Sequence, residues 1–218
     1  MANNCSKSLK VCALAVTELT ADGSPLIGGD RFVVDDLITL TVGSEYGDDD
    51  DIERKNAAGA VCLSYFSFGP FKRLNFEMEL CAANPELHAV LVNGARLSSG
   101  AAVGFGWPQI GLTQACGSSV YNGVGLEAWT LNVGSDGTTD ATFPYLHWLF
   151  PRSYWRVSDK NFENAEMVHS FEGIGLQNSQ WLDGPNADWP VPSDRAGQWL
   201  PTATLPTTAC GPSAIAAS

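Results

Sequence analysis

The alternation of apolar and polar positions is sharpest between Phe71 and Leu80. Leu74, Phe76, Met78 and Leu80 fall on one parity, and Arg73, Asn75, Glu77 and Glu79 on the other. A period of two predicts a strand with one dry face and one wet, charged face. The pattern then changes. Asn84-Pro85-Glu86 offers a helix cap, a first-turn proline whose missing N–H costs nothing, and an acid where the helix dipole favours an anion. Leu87, Val90 and Leu91 follow at i, i+3 and i+4, and Asn93-Gly94 supplies a left-handed stop. The predicted helix is short, so packing on a sheet must hold it.

The other apolar segments are also short and read as strands: Leu9–Thr20, Arg31–Val42, Val61–Phe68, Gly123–Val133, Tyr145–Phe150 and Val168–Gln177. In Arg31–Val42, Ile38, Leu40 and Val42 are in phase. In Gly123–Val133, Val124, Leu126 and Ala128 face one way and Glu127, Trp129 and Leu131 the other. Tyr145–Phe150 is apolar apart from His147, and Pro151 is expected to end it. Asp22-Gly23, Gly28-Gly29, Gly69-Pro70 and Asp136-Gly137 are turns. Ala95–Gly117 is rich in glycine and serine and reads as a loop around Trp107.

Two stretches break the pattern. Gly43–Gly59 has no periodicity and carries Asp48, Asp49, Asp50 and Asp51 in succession. It predicts a long, solvated, mobile acidic loop, of a kind that in a compact domain is functional or disordered. Ser179–Ser218 holds Trp181, Trp189 and Trp199 and many prolines with little alternation, and predicts an extended segment lying over a surface, with a disordered end. The chain thus reads as a mostly-β domain over 1–178 and a C-terminal arm over 179–218.

Composition narrows this further. The 218 residues, 44% of them hydrophobic, suffice for one large β domain or two small ones, while 17% charged residues argue against long charged helices. The net charge of −12 and the lack of any Lys/Arg run remove the cationic footprint of a nucleic-acid binder. Such acidity serves solubility, and it also suits a surface that must repel DNA. The six cysteines show no Cys-x-x-Cys spacing, and MANNCSKSLK lacks the apolar core of a signal peptide, so reduced thiols are expected. No segment reaches the length of a membrane span.

The search for chemistry returns little. His88, His147 and His169 stand apart, without metal-ligand spacing. His88 is expected to be exposed on the helix and His147 to be a hydrogen-bonded core residue. Neither a nucleophile elbow nor a P-loop occurs. Gly104-Phe105-Gly106-Trp107-Pro108 puts proline where the helix of a dinucleotide fingerprint should begin. Glu77 and Glu79 could serve glycoside hydrolysis only by converging with other elements, and two acids on a wet strand are usually just solvated. The seven tryptophans could form a sugar platform, although core and interface use is commoner. The aspartate run lacks the alternating ligands of a calcium loop. No catalytic residue, cofactor or metal is therefore expected.

Four pieces carry a resemblance. They are Cys81-Ala82-Ala83-Asn84-Pro85-Glu86-Leu87 with Asn93-Gly94; Gly123-Val124-Gly125-Leu126-Glu127-Ala128-Trp129; Phe143-Pro144-Tyr145 through Phe150-Pro151-Arg152; and Asn178-Ser179-Gln180-Trp181 through Gly184-Pro185. Together they are similar to the major tail protein, the tail-tube subunit, of long-tailed phages of actinobacteria. The resemblance implies a β-sandwich or barrel-like fold with one flanking helix, closing into hexameric rings that stack into a tube through which DNA passes without specific binding. It implies a virion tail protein assembled in the host cytoplasm. The expected partners are copies of itself, with tail terminator, tape-measure and baseplate proteins, and no membrane. On this reading Asn75, Glu77 and Glu79 would face the lumen, and Asp48, Asp49, Asp50 and Asp51 would join successive rings. A capsid decoration or head–tail connector protein is the alternative. A carbohydrate-binding module or glycosidase is a third, and it would need disulfides.

Overall fold

The computed structural model describes residues 7–81, 84–108, 121–134, 136–158, 168–185, 191, 193–207 and 212–215. The first six strands are β1 Lys7–Glu18, β2 Asp30–Val34, β3 Leu37–Tyr46, β4 Asp50–Lys55, β5 Val61–Ser67 and β6 Phe71–Leu80. Helix α1, Pro85–Val92, follows. Then come β7 Ala95–Ser99, β8 Ala102–Gly106, β9 Val124–Val133, β10 Tyr145–Val157, β11 His169–Leu176, β12 Gln198–Thr202 and β13 Ser213–Ala214. The chain is mostly β with one short helix among the described residues, as the hydrophobic pattern predicts.

Nine strands make one antiparallel sheet in the order β13-β2-β1-β9-β10-β11-β6-β3, with β12 also paired to β10. β4–β5 and β7–β8 are separate two-stranded hairpins. Strand β10 changes neighbours along its length. Tyr145–Leu149 pairs with β12 on the edge away from β9, and Arg152–Val157 pairs with β11 on that same edge. The ladder to β9 shifts register between Phe150 and Ser153. Pro151 therefore does not end the strand. Lacking an N–H, it sits at the irregularity, where a ladder bond is already lost. Its carbonyl accepts a hydrogen bond from Asn178 Nδ2 at 2.9 Å.

One core unites the two sides of this break. Leu14, Val16, Phe32, Val34 and Leu126 from β1, β2 and β9 pack in the same cluster as Phe76, Met78 and Leu80 of β6 and Phe171 of β11. Phe76 lies at the junction, stacked on Trp155 with centroids 5.4 Å apart and edge-on to Phe150 at 5.0 Å. The parity read for β6 holds: Phe76, Met78 and Leu80 are buried, Asn75 and Glu77 exposed and Glu79 half-buried. In β9 the two parities also separate, with Val124, Leu126 and Ala128 in the main core and Trp129 in the cluster opposite, although both faces are covered and residues 124–130 are all buried. β1 is likewise covered on both sides, with Ala13 and Ala15 packed against Val33 and Trp129 opposite the main core. The Arg31–Val42 region is two strands parted at Asp35-Asp36, and Ile38 and Val42 are exposed while Leu40 packs against the core.

Helix α1 starts where Asn84 Oδ1 accepts the N–H groups of Glu86 and Leu87, at 3.2 and 3.1 Å. It ends at Asn93 in the left-handed region (φ 54°), with Gly94 N–H bonded to Ala89 O. Leu87 to Val92 are all buried. That includes His88, contrary to the expectation of exposure, because Ala95–Gly106 is a hairpin rather than a loop. Phe105 from this hairpin meets the His88 ring edge-on at 5.8 Å. The remainder of the expected loop, 109–117, lies outside the described residues.

The stretch after Asn178 is not simply laid over a surface. Trp181 is buried with Leu19, Leu149 and Val191, β12 extends the main sheet at β10, and β13 caps it at β2. Trp181 is held between two glycines: a Cβ on Gly125 would collide with its six-membered ring at Cζ3, and one on Gly184 (φ 61°) would strike its indole nitrogen edge. Asn178 binds Gly23 O (2.7 Å) as well as Pro151 O. Three of the four segments quoted for the resemblance thus meet at one place. Trp189 and the end of the chain, 216–218, lie outside the described residues.

Replacing Asn84 by Ala should lower stability by about 1 kcal/mol, because two N–H groups lose their acceptor at the start of a buried helix. Asn84→Asp should retain most of it. Urea denaturation checks this as a shifted midpoint with unchanged slope.

Candidate assembly surfaces

Residues 37–80 form one long hairpin ribbon whose inner half, β3 and β6, belongs to the large sheet and whose outer half, β4 and β5, stands beyond it. β3 and β6 pair from Leu37↔Leu80 out to Tyr46↔Phe71, and β4 and β5 continue from Asp50↔Ser67 to Lys55↔Val61. Between the two parts the ribbon is pinned. Gly47 N–H binds Pro70 O at 2.8 Å, Gly69 N–H binds Asp49 Oδ1 at 2.8 Å, and a Cβ on Gly69 would collide with the backbone of Gly47 and Asp48. At the tip, Asn56 Oδ1 accepts the N–H groups of Ala58 and Ala60, and Gly59 takes φ 81°. The expected solvated loop at 43–59 is therefore the end of β3, the bend, and the first arm and tip of the outer hairpin. Asp49 is a structural acceptor, and Asp50 and Asp51 begin a strand.

This outer half is exposed on both faces. Its register places Ile52, Leu63 and Tyr65 together on one face and Asp51, Glu53 and Phe66 on the other. Phe66 packs edge-on to Phe68 at 5.0 Å, and Phe68 is 80% exposed. Tyr46 and Phe71 form a second exposed aromatic pair at the base, 5.7 Å apart. Exposed large apolar side chains gathered along one hairpin mark an interaction site.

The wet side of β6 builds a second surface. Glu77 lies opposite Thr41 of β3 and Glu172 of β11; Glu79 lies opposite Thr39 and Ser170; Asn75 lies opposite Gly43 and Ile174. Glu172 is bridged to Arg156 at 2.7 Å, and its hydrogen bond and charge hold that guanidinium above its usual range. Arg73 Nε donates to Glu45 at 2.7 Å and Asn75 to the same oxygen at 3.3 Å; these two bonds, the Arg73 one first, hold Glu45 below the usual carboxylate range. Glu77 and Glu79 have no hydrogen-bond or ion-pair partner among the described residues. Asn75, Glu77, Glu172, Arg156 and Tyr154 line a shallow concavity of about 850 Å³. The structure therefore brings Asn75 and Glu77 together and adds Glu172, while Glu79 lies farther along the strand. Asp48–Asp51 sit apart from this face, at the bend of the ribbon. Glu172 escapes a reading of the sequence because its nearness to Glu77 is set by the register of two strands far apart in the chain.

The buried charges lie elsewhere. Glu127, on the same side of β9 as Trp129, is 1% exposed. Its carboxylate accepts from Arg31 Nη2 at 3.1 Å and from His147 Nε2 at 3.0 Å, and Trp129 stacks on His147 at 4.3 Å. Burial is the largest single influence and opposes ionisation. The His147 hydrogen bond, the Arg31 charge, the His147 charge and the Arg31 hydrogen bond together outweigh it and hold the carboxyl below its ordinary 4.5. The group ties β2, β9 and β10 together, and His147 is the hydrogen-bonded core residue expected of it. His88 and His169 are also buried, with centroids 4.8 Å apart among Phe105 and Phe171. Among the described residues no three His, Cys, Asp or Glu side chains gather as a metal site, and no helix is long and apolar enough to cross a membrane. Cys12, Cys62 and Cys81 are free thiols.

No protein-family model and no curated protein sequence matches the chain. Solved structures with a similar chain course include a chain of the sheath–tube complex of an extracellular contractile injection system in its extended state, with 11% identity, coverage of 87% of this chain and 88% of that one, and a TM-score of 0.40. The tube-terminating cap of the anti-feeding prophage gives 9% identity, 90% and 92% coverage and a TM-score of 0.39. The sheath/tube terminator of an extracellular contractile injection system gives 11%, 74%, 87% and 0.33. At TM-scores below 0.5 these likenesses carry neither the arrangement nor the role of those complexes over to this chain.

Glu127→Gln should destabilise the fold by about 2–3 kcal/mol, since it leaves the half-buried Arg31 guanidinium without its anion. The pH dependence has a fixed sign. A carboxyl whose folded pKa is depressed contributes stability above its unfolded value, lost as pH falls through the folded one. The native chain should therefore lose stability below about pH 4.5, and the variant should show a flatter acid limb in urea titrations.

Proposed function

We propose that this chain is a structural subunit of a phage-type tail, a tail-tube protein that works by binding copies of itself. The observation that carries the reading is the ribbon over 37–80. Its outer half has no core of its own, is exposed on both faces, and presents aromatic side chains that one chain alone leaves open to water. The resemblance of the four quoted segments to tail-tube subunits points the same way, and among the described residues β3 has a strand partner on one edge alone.

In this proposal the body over 1–178, with the 179–218 segment docked on it, closes into stacked hexameric rings. Asn75, Glu77 and Glu79, joined by Glu172, face the bore, where negative charge keeps DNA phosphates from sticking. The ribbon, with Asp48–Asp51 at its bend, reaches the next ring. The chain performs no enzymatic step and takes no cofactor. Tail terminator, tape-measure and baseplate proteins complete the assembly, made in the host cytoplasm and carried in the virion tail.

Purified protein imaged by electron microscopy at high concentration should show rings or tubes; a strict monomer under all conditions would overturn the reading. Changing Leu63 and Tyr65 together to Asp should leave circular dichroism and the melting temperature nearly unaltered, because both side chains are exposed, and should abolish tubes. Replacing Glu77 and Glu79 by Lys should leave rings intact and slow genome ejection from particles. Ejection at the native rate would mean that these residues do not line the bore.

A further inference from the structure

The large sheet has two ends. At one, the ten-residue β3 has no strand partner on its outer edge among the described residues. At the other, β2 has five residues, and β13 pairs with two of them, Ser213 with Arg31 and Ala214 with Asp30. The hold is small but specific. Gly28 N–H binds Ile215 O at 2.9 Å, Ile215 N–H binds Gly29 O at 3.1 Å, and Ser213 Oγ donates to Arg31 O at 3.0 Å. Ile215 is buried, while Ser213 beside it is exposed.

The edge beneath is stiff. Arg31 is fixed from inside by Glu127, and Asp30 by an ion pair to Arg96 and by Glu18, which accepts the Asp30 N–H at 2.9 Å. Phe32, Val33 and Val34 are buried, so the strand cannot turn its pairing groups away. An immobile edge is a ready template for another strand. A longer strand could pair along all of β2, against the two residues that β13 covers. The open β3 edge of a second copy is such a strand, and joining opposite ends of the same sheet gives a head-to-tail contact, the kind that closes into rings.

We propose that Ser213–Ile215 is a removable cap on the outer edge of β2, and that β3 of a second copy takes its place on assembly. The cap keeps free chains apart and is displaced when a neighbour docks. This rests on the self-association proposed above and adds its regulation.

The test uses two full-length variants, Ile215→Asp, which removes the buried anchor, and Ser213→Pro, which disrupts the short strand at an exposed site. Circular dichroism and thermal melting establish that each is folded, and light scattering with electron microscopy follows assembly. Both variants should assemble at roughly tenfold lower concentration than the native chain. A synthetic peptide spanning 207–218, added in excess to the Ile215→Asp chain, should restore the delay. The cap is overturned if folded variants assemble no more readily than the native chain, or fail to assemble where the native chain succeeds; the latter would mean that the strand is exchanged into the neighbour instead of being removed. If neither native nor variant chains assemble at any concentration, self-association itself fails and the cap falls with it.

Discussion

The fold depends on a ladder that changes partner within a single strand. The edge of β10 opposite β9 serves β12 along its first half and β11 along its second. A proline stands at the change, where the irregular ladder has already given up the bond its missing N–H would have made. Phe150 lies on one side of the break and Trp155 on the other, and Phe76 touches both rings. Residues from opposite ends of the sheet consequently share one core, and α1 adds Leu87, Val90 and Leu91 to it. Without the change of partner, β6 and β11 would have no reason to face β1 and β2.

Acidic residues divide by environment. Glu127 is inside, where removal from water is tolerated because two donors and a cation replace the lost solvent. Glu77 and Glu172 are outside on adjacent strands, directly opposite each other, an arrangement that weakens local pairing. Arg156 offsets one of them and leaves Glu77 uncompensated. An excess of negative charge on every copy sets a general repulsion that falls off over about 8–10 Å at physiological salt. Contacts between copies are thereby steered toward surfaces where apolar groups outweigh charge, and the exposed aromatic side chains of the ribbon form such a surface.

How much could be read from the sequence followed from how each segment is buried. β6 was readable because one face is dry and the other wet, so burial writes an alternation into it. α1 was readable because its cap and stop are local chemistry. β4 was not: with both faces in water, nothing imposes a pattern on Asp50–Lys55, and the strand exists through its pairing with β5. β9 shows its two parities but no wet face, since residues 124–130 are all buried, and the partners of Glu127 lie on strands far along the chain. Pro151 as a strand end was a sound local rule defeated by a bulge. β12 and β13 are short strands in proline-rich surroundings, and their pairing is set by distant partners. The candidate surfaces follow the same division: Asn75 and Glu77 were visible on their own strand, while Glu172 and the paired Leu63 and Tyr65 required register.

Trp181 fixes where the last part of the chain begins to be independent. Its ring fills the space that side chains at residues 125 and 184 would occupy, and Asn178 is tied to two backbone carbonyls just before it. Tension on the residues that follow is therefore resisted at this rivet and at the ladder to β12, and is not passed to the core. On the proposal made above, the Ser213–Ile215 strand would leave β2 while the body it hangs from keeps its shape.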